Sequence, residues 1–172
     1  MPRRGGTPYA VLEEQVGGLI NSILVICVGN ICRSPLGERL LTAKLADQEP
    51  PILVASAGIG ALVGLSADPV ASEVAQAHGV SLNNHVARQF TEKLGSEHSL
   101  LLVMEPKHRM HIIRHAPHLA GRVMLFDRWT GARGIGDPYG RSREFHEIIY
   151  SRIEEAATAW ATRLIKQNES PE

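Results

Sequence analysis

The sequence predicts an α/β fold of three layers, with a four-stranded parallel sheet flanked by helices. Two observations predict it. Four short apolar and β-branched runs, at Ser22–Cys27, Ile52–Ala55, Leu100–Met104 and Val123–Phe126, have the continuous hydrophobicity of strands covered on both faces. Helical patterning separates each run from the next, and strand–helix alternation implies parallel pairing through right-handed crossovers. At 172 residues the chain fits one domain, placed at residues 22–172. Residues 1–21, rich in Gly and Arg, read as a flexible N-terminal extension that admits a short helix over Tyr9–Val16.

Each element carries its own signal. Helix starts are marked by Ser34-Pro35, Asp68-Pro69 and Glu105-Pro106, where proline occupies a first-turn position whose N–H has no partner to lose. Ser34 and Asp68 also supply N-cap side chains. The last helix, Ser142 to about Lys166, sets Phe145, Ile148, Ile149, Ile153, Ala156, Ala157, Trp160 and Leu164 on one face at the three-and-four spacing of a helix that covers a sheet. In such folds ligands bind where loops leave the carboxyl ends of the strands, which points to the loop after Cys27.

Composition narrows the function. Eighteen Lys and Arg balance eighteen Asp and Glu, with 44% hydrophobic residues, so the chain builds a core and has no bulk attraction to nucleic acid or anionic lipid. No apolar run is long enough to span a bilayer, and Glu13 and Glu14 stand where a signal peptide needs its apolar centre. The expectation is a cytoplasmic, monomeric protein without nucleic-acid binding or membrane insertion. The two cysteines, Cys27 and Cys32, are too few and too close for a secreted disulfide framework.

The segment Cys27-Val28-Gly29-Asn30-Ile31-Cys32-Arg33-Ser34-Pro35 runs from a buried strand into a helix start. A loop so placed can aim consecutive backbone N–H groups at one point, and the helix dipole adds positive potential there, which makes an anion cradle. Gly29 and Asn30 tolerate the backbone angles such a curl needs. At its mouth, amide dipoles and Arg33 favour the Cys27 thiolate and make it a nucleophile, while the planar Arg33 fork matches two phosphate oxygens at once.

With these residues, VICVGNICRSP, SAG at Ser56–Gly58, HVARQ at His85–Gln89 and DPY at Asp137–Tyr139, the chain resembles the low-molecular-weight protein tyrosine phosphatases over roughly residues 22 to 166. SAGIGALVG, VMLFDRW and GDPYGRSREF resemble the bacterial capsule and exopolysaccharide branch, the Wzb-type phosphatases. The resemblance implies the low-molecular-weight phosphotyrosine phosphatase fold, with Cys27, Arg33 and Asp137 catalytic. Val28 to Ser34 would form the phosphate-binding loop and Tyr139 would contact the substrate ring. It also implies loop support from Asn30, Ser56 and His85, a hydrogen bond from Ser34 to the Cys27 sulfur, and Cys32 as the redox partner of Cys27. No metal and no cofactor are implied; the substrates would be phosphotyrosine proteins, foremost a membrane tyrosine autokinase. Gly140 stands where eukaryotic members carry a second tyrosine, so one wall of the slot is expected to be more open.

The remaining features carry less. Asp137 lies in a Gly- and Pro-rich loop, where a turn Asp is ordinary; the resemblance makes it general acid and base. Arg88 reads as a structural salt-bridge partner. His108, His111 and His115 share helical spacing with His118 beyond Pro117, and read as a solvated helix face rather than a metal site. Three rivals make other demands. A thioredoxin-coupled arsenate reductase needs cysteines outside the loop, a protein arginine phosphatase carries Thr at the position of Ile31, and a non-enzymatic phosphotyrosine-binding module would lose Cys27 or Asp137.

Overall fold

A computed structural model of the chain describes residues 18–169; the short helix read over Tyr9–Val16 lies outside them. Four strands, β1 (Ser22–Cys27), β2 (Leu53–Gly58), β3 (Leu100–Val103) and β4 (Val123–Leu125), pair in parallel in the order β2-β1-β3-β4. The helices are α1 (Arg33–Lys44), α2 (Pro69–Ala77), α3 (Glu92–Ser96), α4 (Pro106–His115) and α5 (Arg143–Glu169), with a 3-10 turn at Pro117–Arg122. The three-layer parallel architecture is the one the alternation predicts. Alternate residues of the central strands enter opposite layers. Ile23 and Val25 of β1, with Leu100 and Leu102 of β3, pack under α1, α2 and α5. Leu24, Ile26, Leu101 and Val103 pack against Leu94, Ile112 and Leu119 on the other face.

Three details depart from the sequence reading. Sheet hydrogen bonding begins ahead of residue 22, since the Asn21 carbonyl accepts the Leu53 N–H at 3.0 Å and Ile20 is buried in the core. Strand β2 runs on through Ser56-Ala57-Gly58, residues of weak strand preference, because each pairs with β1 in register as far as Cys27↔Gly58. Along α5, Ile148 is exposed while His146, Tyr150 and Ala161 take buried positions. The helix is thus rotated slightly from the purely apolar stripe, about Trp160, which is fully buried and donates its indole N–H to the Phe126 carbonyl at 2.8 Å. Asp68 caps α2 as expected, accepting from the Ala71 N–H. Among the described residues no helix is long and apolar enough to cross a membrane.

Candidate active site

Between β1 and α1 the chain curls so that its carbonyls turn outward. Those of Cys27, Val28, Gly29 and Ile31 accept from the N–H groups of Ile59, Gly60, Leu62 and Asp68 at 2.9–3.0 Å, and the Asn30 carbonyl accepts from His85 Nε2 at 2.6 Å. Fixing five successive carbonyls on the outer side leaves the loop N–H groups for the inner side. Asn30 makes the turn with φ of 58° and is fully buried, the left-handed geometry that asparagine tolerates. Its amide donates to Ser34 Oγ (2.8 Å) and Ser56 Oγ (3.0 Å), and its Oδ1 accepts from the Arg88 N–H (2.9 Å). Asn30, Ser56 and His85 therefore meet around the loop. Arg88 joins them through hydrogen bonds rather than the expected salt bridge, its Nε donating to the Ser56 carbonyl at 2.9 Å.

Ser34 is not the cap of α1. That helix begins at Arg33 behind Cys32 with no side-chain cap, because the Ser34 hydroxyl is turned inward to stand 2.9 Å from Cys27 Sγ. Asn30 donates into this hydroxyl, which leaves its own proton for the sulfur at 2.9 Å or the more distant Ala57 carbonyl at 3.5 Å. The Cys27 side is almost closed to solvent, at 2% exposure.

Arg33 is equally buried, and its Nη1 carries the anchoring bonds, to Glu105 Oε1 at 2.5 Å and the Ile135 carbonyl at 2.8 Å. Nη2 stands 3.6 Å from Asp137 Oδ2, and the buried Nε has no partner. The Nε–Nη2 edge is thus the one left for an oxyanion, in the fork geometry that suits two phosphate oxygens. Asp137 is half exposed, and its Oδ1 accepts the Tyr139 N–H at 3.1 Å.

Glu105 is a residue of this site that sequence reasoning passed over as the residue before Pro106. It is the N-cap of α4 by position but makes no capping bond; its carboxylate reaches Arg33 instead. Although burial pulls its pKa up, the hydrogen bond and charge of Arg33 outweigh that and hold it below the usual glutamate value. The signal that could have found it is its place at the carboxyl end of a buried strand.

His108 corrects the solvated-helix reading. It is buried against Glu105, with Nε2 at 3.6 Å from Oε1 and neither ring nitrogen hydrogen-bonded. Burial first, then the Arg33 charge, pushes its pKa down to about 4. His111 and His115 lie exposed on another face with ring centroids 4.3 Å apart, and His118 faces Glu92. Among the described residues no three His, Cys, Asp or Glu side chains are grouped to hold a metal ion.

Cys27, Val28, Gly29, Ile31, Cys32, Arg33, Asp137 and Tyr139 line one cavity of about 160 Å3, whose wall is completed by Gly60 and Leu62. The Cys27 sulfur, the Arg33 guanidinium and the Asp137 carboxylate therefore share one space beside an exposed phenol ring. Cys32 is buried, and burial, with the nearby charges of Asp68 and Cys27, pushes its thiol well above the ordinary range. It is held as a neutral thiol.

Known proteins resemble the chain in sequence and fold. The chain is 47% identical over 153 residues to the low molecular weight protein-tyrosine-phosphatase Wzb of Salmonella typhimurium, covering 89% of this chain and all of that protein. It superposes on Vibrio vulnificus Wzb in complex with benzylphosphonate with a TM-score of 0.78, at 46% identity over 83% of this chain and 98% of that one. The YwlE arginine phosphatase from Geobacillus stearothermophilus matches with a TM-score of 0.80 but only 28% identity, covering 88% and 98% of the two chains. The profile of the low molecular weight phosphotyrosine protein phosphatases matches residues 22–170, and the chain belongs to that family.

Proposed function

We propose that this protein hydrolyses protein phosphotyrosine through a phosphocysteine formed on Cys27. The observation that carries the reading is the single cavity in which Cys27, Arg33 and Asp137 converge beside Tyr139. The Cys27 thiolate attacks phosphorus as the bond to the tyrosyl oxygen breaks. Loop N–H groups and the Nε–Nη2 edge of Arg33 hold the equatorial oxygens, where charge is preorganised before it develops. Asp137 gives its proton to the departing phenolate, then takes one from the water that attacks the phosphocysteine. The Ser34 hydroxyl stabilises the sulfur as it leaves with the electron pair of the S–P bond, and inorganic phosphate is released.

Depth and lining support phosphotyrosine over the shorter phosphoserine ester and over the N-phosphorylated guanidinium of phosphoarginine. Cys27 is buried and lines the cavity, so a substrate that carries phosphorus out on a ring suits its reach, and the exposed Tyr139 can pack on that ring. Ile31, which lines the same cavity, offers no hydroxyl to a phosphoguanidinium. The Wzb-type pattern supports a tyrosine autokinase of capsule or exopolysaccharide synthesis as the physiological substrate, met in the cytoplasm. Cys32 is the proposed redox partner of Cys27. Turnover of phosphotyrosine, phosphoserine and phosphoarginine peptides, measured side by side on wild type and Cys27→Ser, tests the reading. Phosphotyrosine should dominate and the serine variant should bind without turnover. Comparable phosphoarginine or phosphoserine hydrolysis, or an active serine variant, overturns it.

A further inference from the structure

We propose that Glu105 is a positioning residue for this reaction, which locks the Arg33 guanidinium so that its Nε–Nη2 edge faces the cradle. The inference rests on the phosphatase reading above. A long arginine side chain loses rotamer freedom when it is fixed, so something must hold it in one orientation. The groups within hydrogen-bond distance of the guanidinium are Glu105 Oε1 and the Ile135 carbonyl, and both engage Nη1. Asp137 cannot serve as that anchor. It stands 3.6 Å from Nη2, is half exposed, and alternates between acid and carboxylate during turnover, so its charge is not constant.

Glu105 suits the task through its backbone. It follows β3, the neighbour of β1, and precedes Pro106 in an extended conformation, φ −138° and ψ 150°, the region that a following proline enforces. One carboxylate oxygen holds Arg33 while the other faces exposed Lys107 at 3.4 Å. The ring of His108 closes the carboxylate from the protein side. The carboxylate is thus held from both ends.

The test separates position from charge and from fold. With a phosphotyrosine peptide, Glu105→Ala should lower kcat/KM by about 10²-fold, the loss expected when a positioned group is misplaced by about an ångström. Glu105→Gln keeps an acceptor at the same reach and should stay within about tenfold of wild type. Glu105→Asp keeps the charge but falls one methylene short, and should lose nearly as much as Ala. In an Arg33→Lys background, Glu105→Ala should cost under about threefold, because residues that act through one another are not additive. An undiminished Glu105→Ala, an active Asp with an inactive Gln variant, or full additivity on Arg33→Lys would overturn the proposal. Where the alanine variant fails to fold, the Gln and Asp pair decides. An inactive wild type would instead sink the phosphatase reading. Inorganic-phosphate affinity then decides on Glu105: retained in Gln and weakened in Asp supports the proposal, and unchanged in Asp overturns it.

Discussion

The two halves of the active site are built on opposite terms. The cradle, residues 27–34, is buried and cross-tied: Asn30 and Ser34 are fully buried, and its carbonyls are bonded to segments that follow β2, precede α2 and include His85. The acid segment is tied to the backbone at its base and pinned by buried Pro138, while the side chains on either side of that proline stay open. Asp127 Oδ2 accepts from the Arg133 and Gly134 N–H groups, and the Ile135 N–H reaches the Met104 carbonyl, but Asp137 and Tyr139 stand 49% and 59% exposed. The contrast fits the work proposed for each. Donors that stabilise developing charge must not reorganise at the moment of reaction. A group that exchanges protons with water and admits an aromatic ring must stay accessible.

The cradle side can be broken with one methyl group. A Cβ on Gly58 would lie 2.3 Å from the Val28 carbonyl oxygen and 3.0 Å from the Asn30 nitrogen, and the obstacle is backbone, which cannot swing aside. Gly58→Ala should therefore displace several cradle N–H groups together and lower kcat/KM on phosphotyrosine by about 10³-fold or more, since one lost oxyanion donor alone costs about 10²–10³-fold. Steady-state kinetics checks this, with circular dichroism to confirm that the variant folds. Near-normal turnover would mean that the loop geometry tolerates shifts and that the contrast is overdrawn.

How much of this was readable beforehand follows the same division. The cradle is contiguous in sequence, so its strand, curl and helix start were visible in residues 22–35, and Asn30, Ser56 and His85 came from the family pattern. The Glu105 contact was not visible, because it joins residues 72 positions apart and a lone Glu before Pro looks like a poor helix cap. Ser34 was misread as a cap because local preference favours it there; the sulfur it faces overrides that preference. His108 was misread as solvated because spacing alone does not say which side of α4 meets Arg33. The continuation of β2 through Ser56-Ala57-Gly58 depended on pairing with β1 and not on propensity.

The acid side breaks more selectively. Asp137→Asn removes the proton and keeps the side chain's size, so phosphotyrosine peptides should slow by about 10²-fold while an activated phenol such as p-nitrophenol, which leaves without protonation, loses about tenfold or less. Equal losses across a series of aryl phosphates would remove Asp137 from the mechanism.

The cradle side shows its own acid sensitivity in stability. His108 has a folded pKa of about 4 against an ordinary 6.5, so between these values the unfolded chain binds a proton that the folded chain refuses. Its contribution is present above pH 6.5 and declines as pH falls toward 4. Between pH 7.5 and pH 5 this amounts to about 2 kcal/mol. The depressed Glu105 carboxyl acts in the same direction at lower pH. Urea midpoints should fall over that interval in wild type and fall less in His108→Leu; parallel falls would place the sensitivity elsewhere.

The smallest effect on activity, and the sharpest on the comparison, concerns Cys32. It lies within the buried cradle and lines the same cavity as Cys27, and burial pushes its thiol up, which disfavours it as a competing nucleophile. Cys32→Ser should retain at least about half of wild-type kcat, as a near-isosteric change away from the reacting bonds. Peroxide oxidises a cysteine thiolate to a sulfenic acid, which a second thiol can capture as a disulfide with release of water. A cradle that holds both sulfurs in one loop gives Cys27 such a trap, while the exposed acid segment can offer none because the described residues hold only these two cysteines. Peroxide should then inactivate wild type with loss of two titratable thiols, and dithiothreitol should restore it. The same treatment should leave Cys32→Ser permanently inactive, its Cys27 driven on to the sulfinic acid. Full recovery of that variant would show that the loop holds the two sulfurs too far apart to react, since a disulfide needs the β-carbons at about 3.5–4.5 Å.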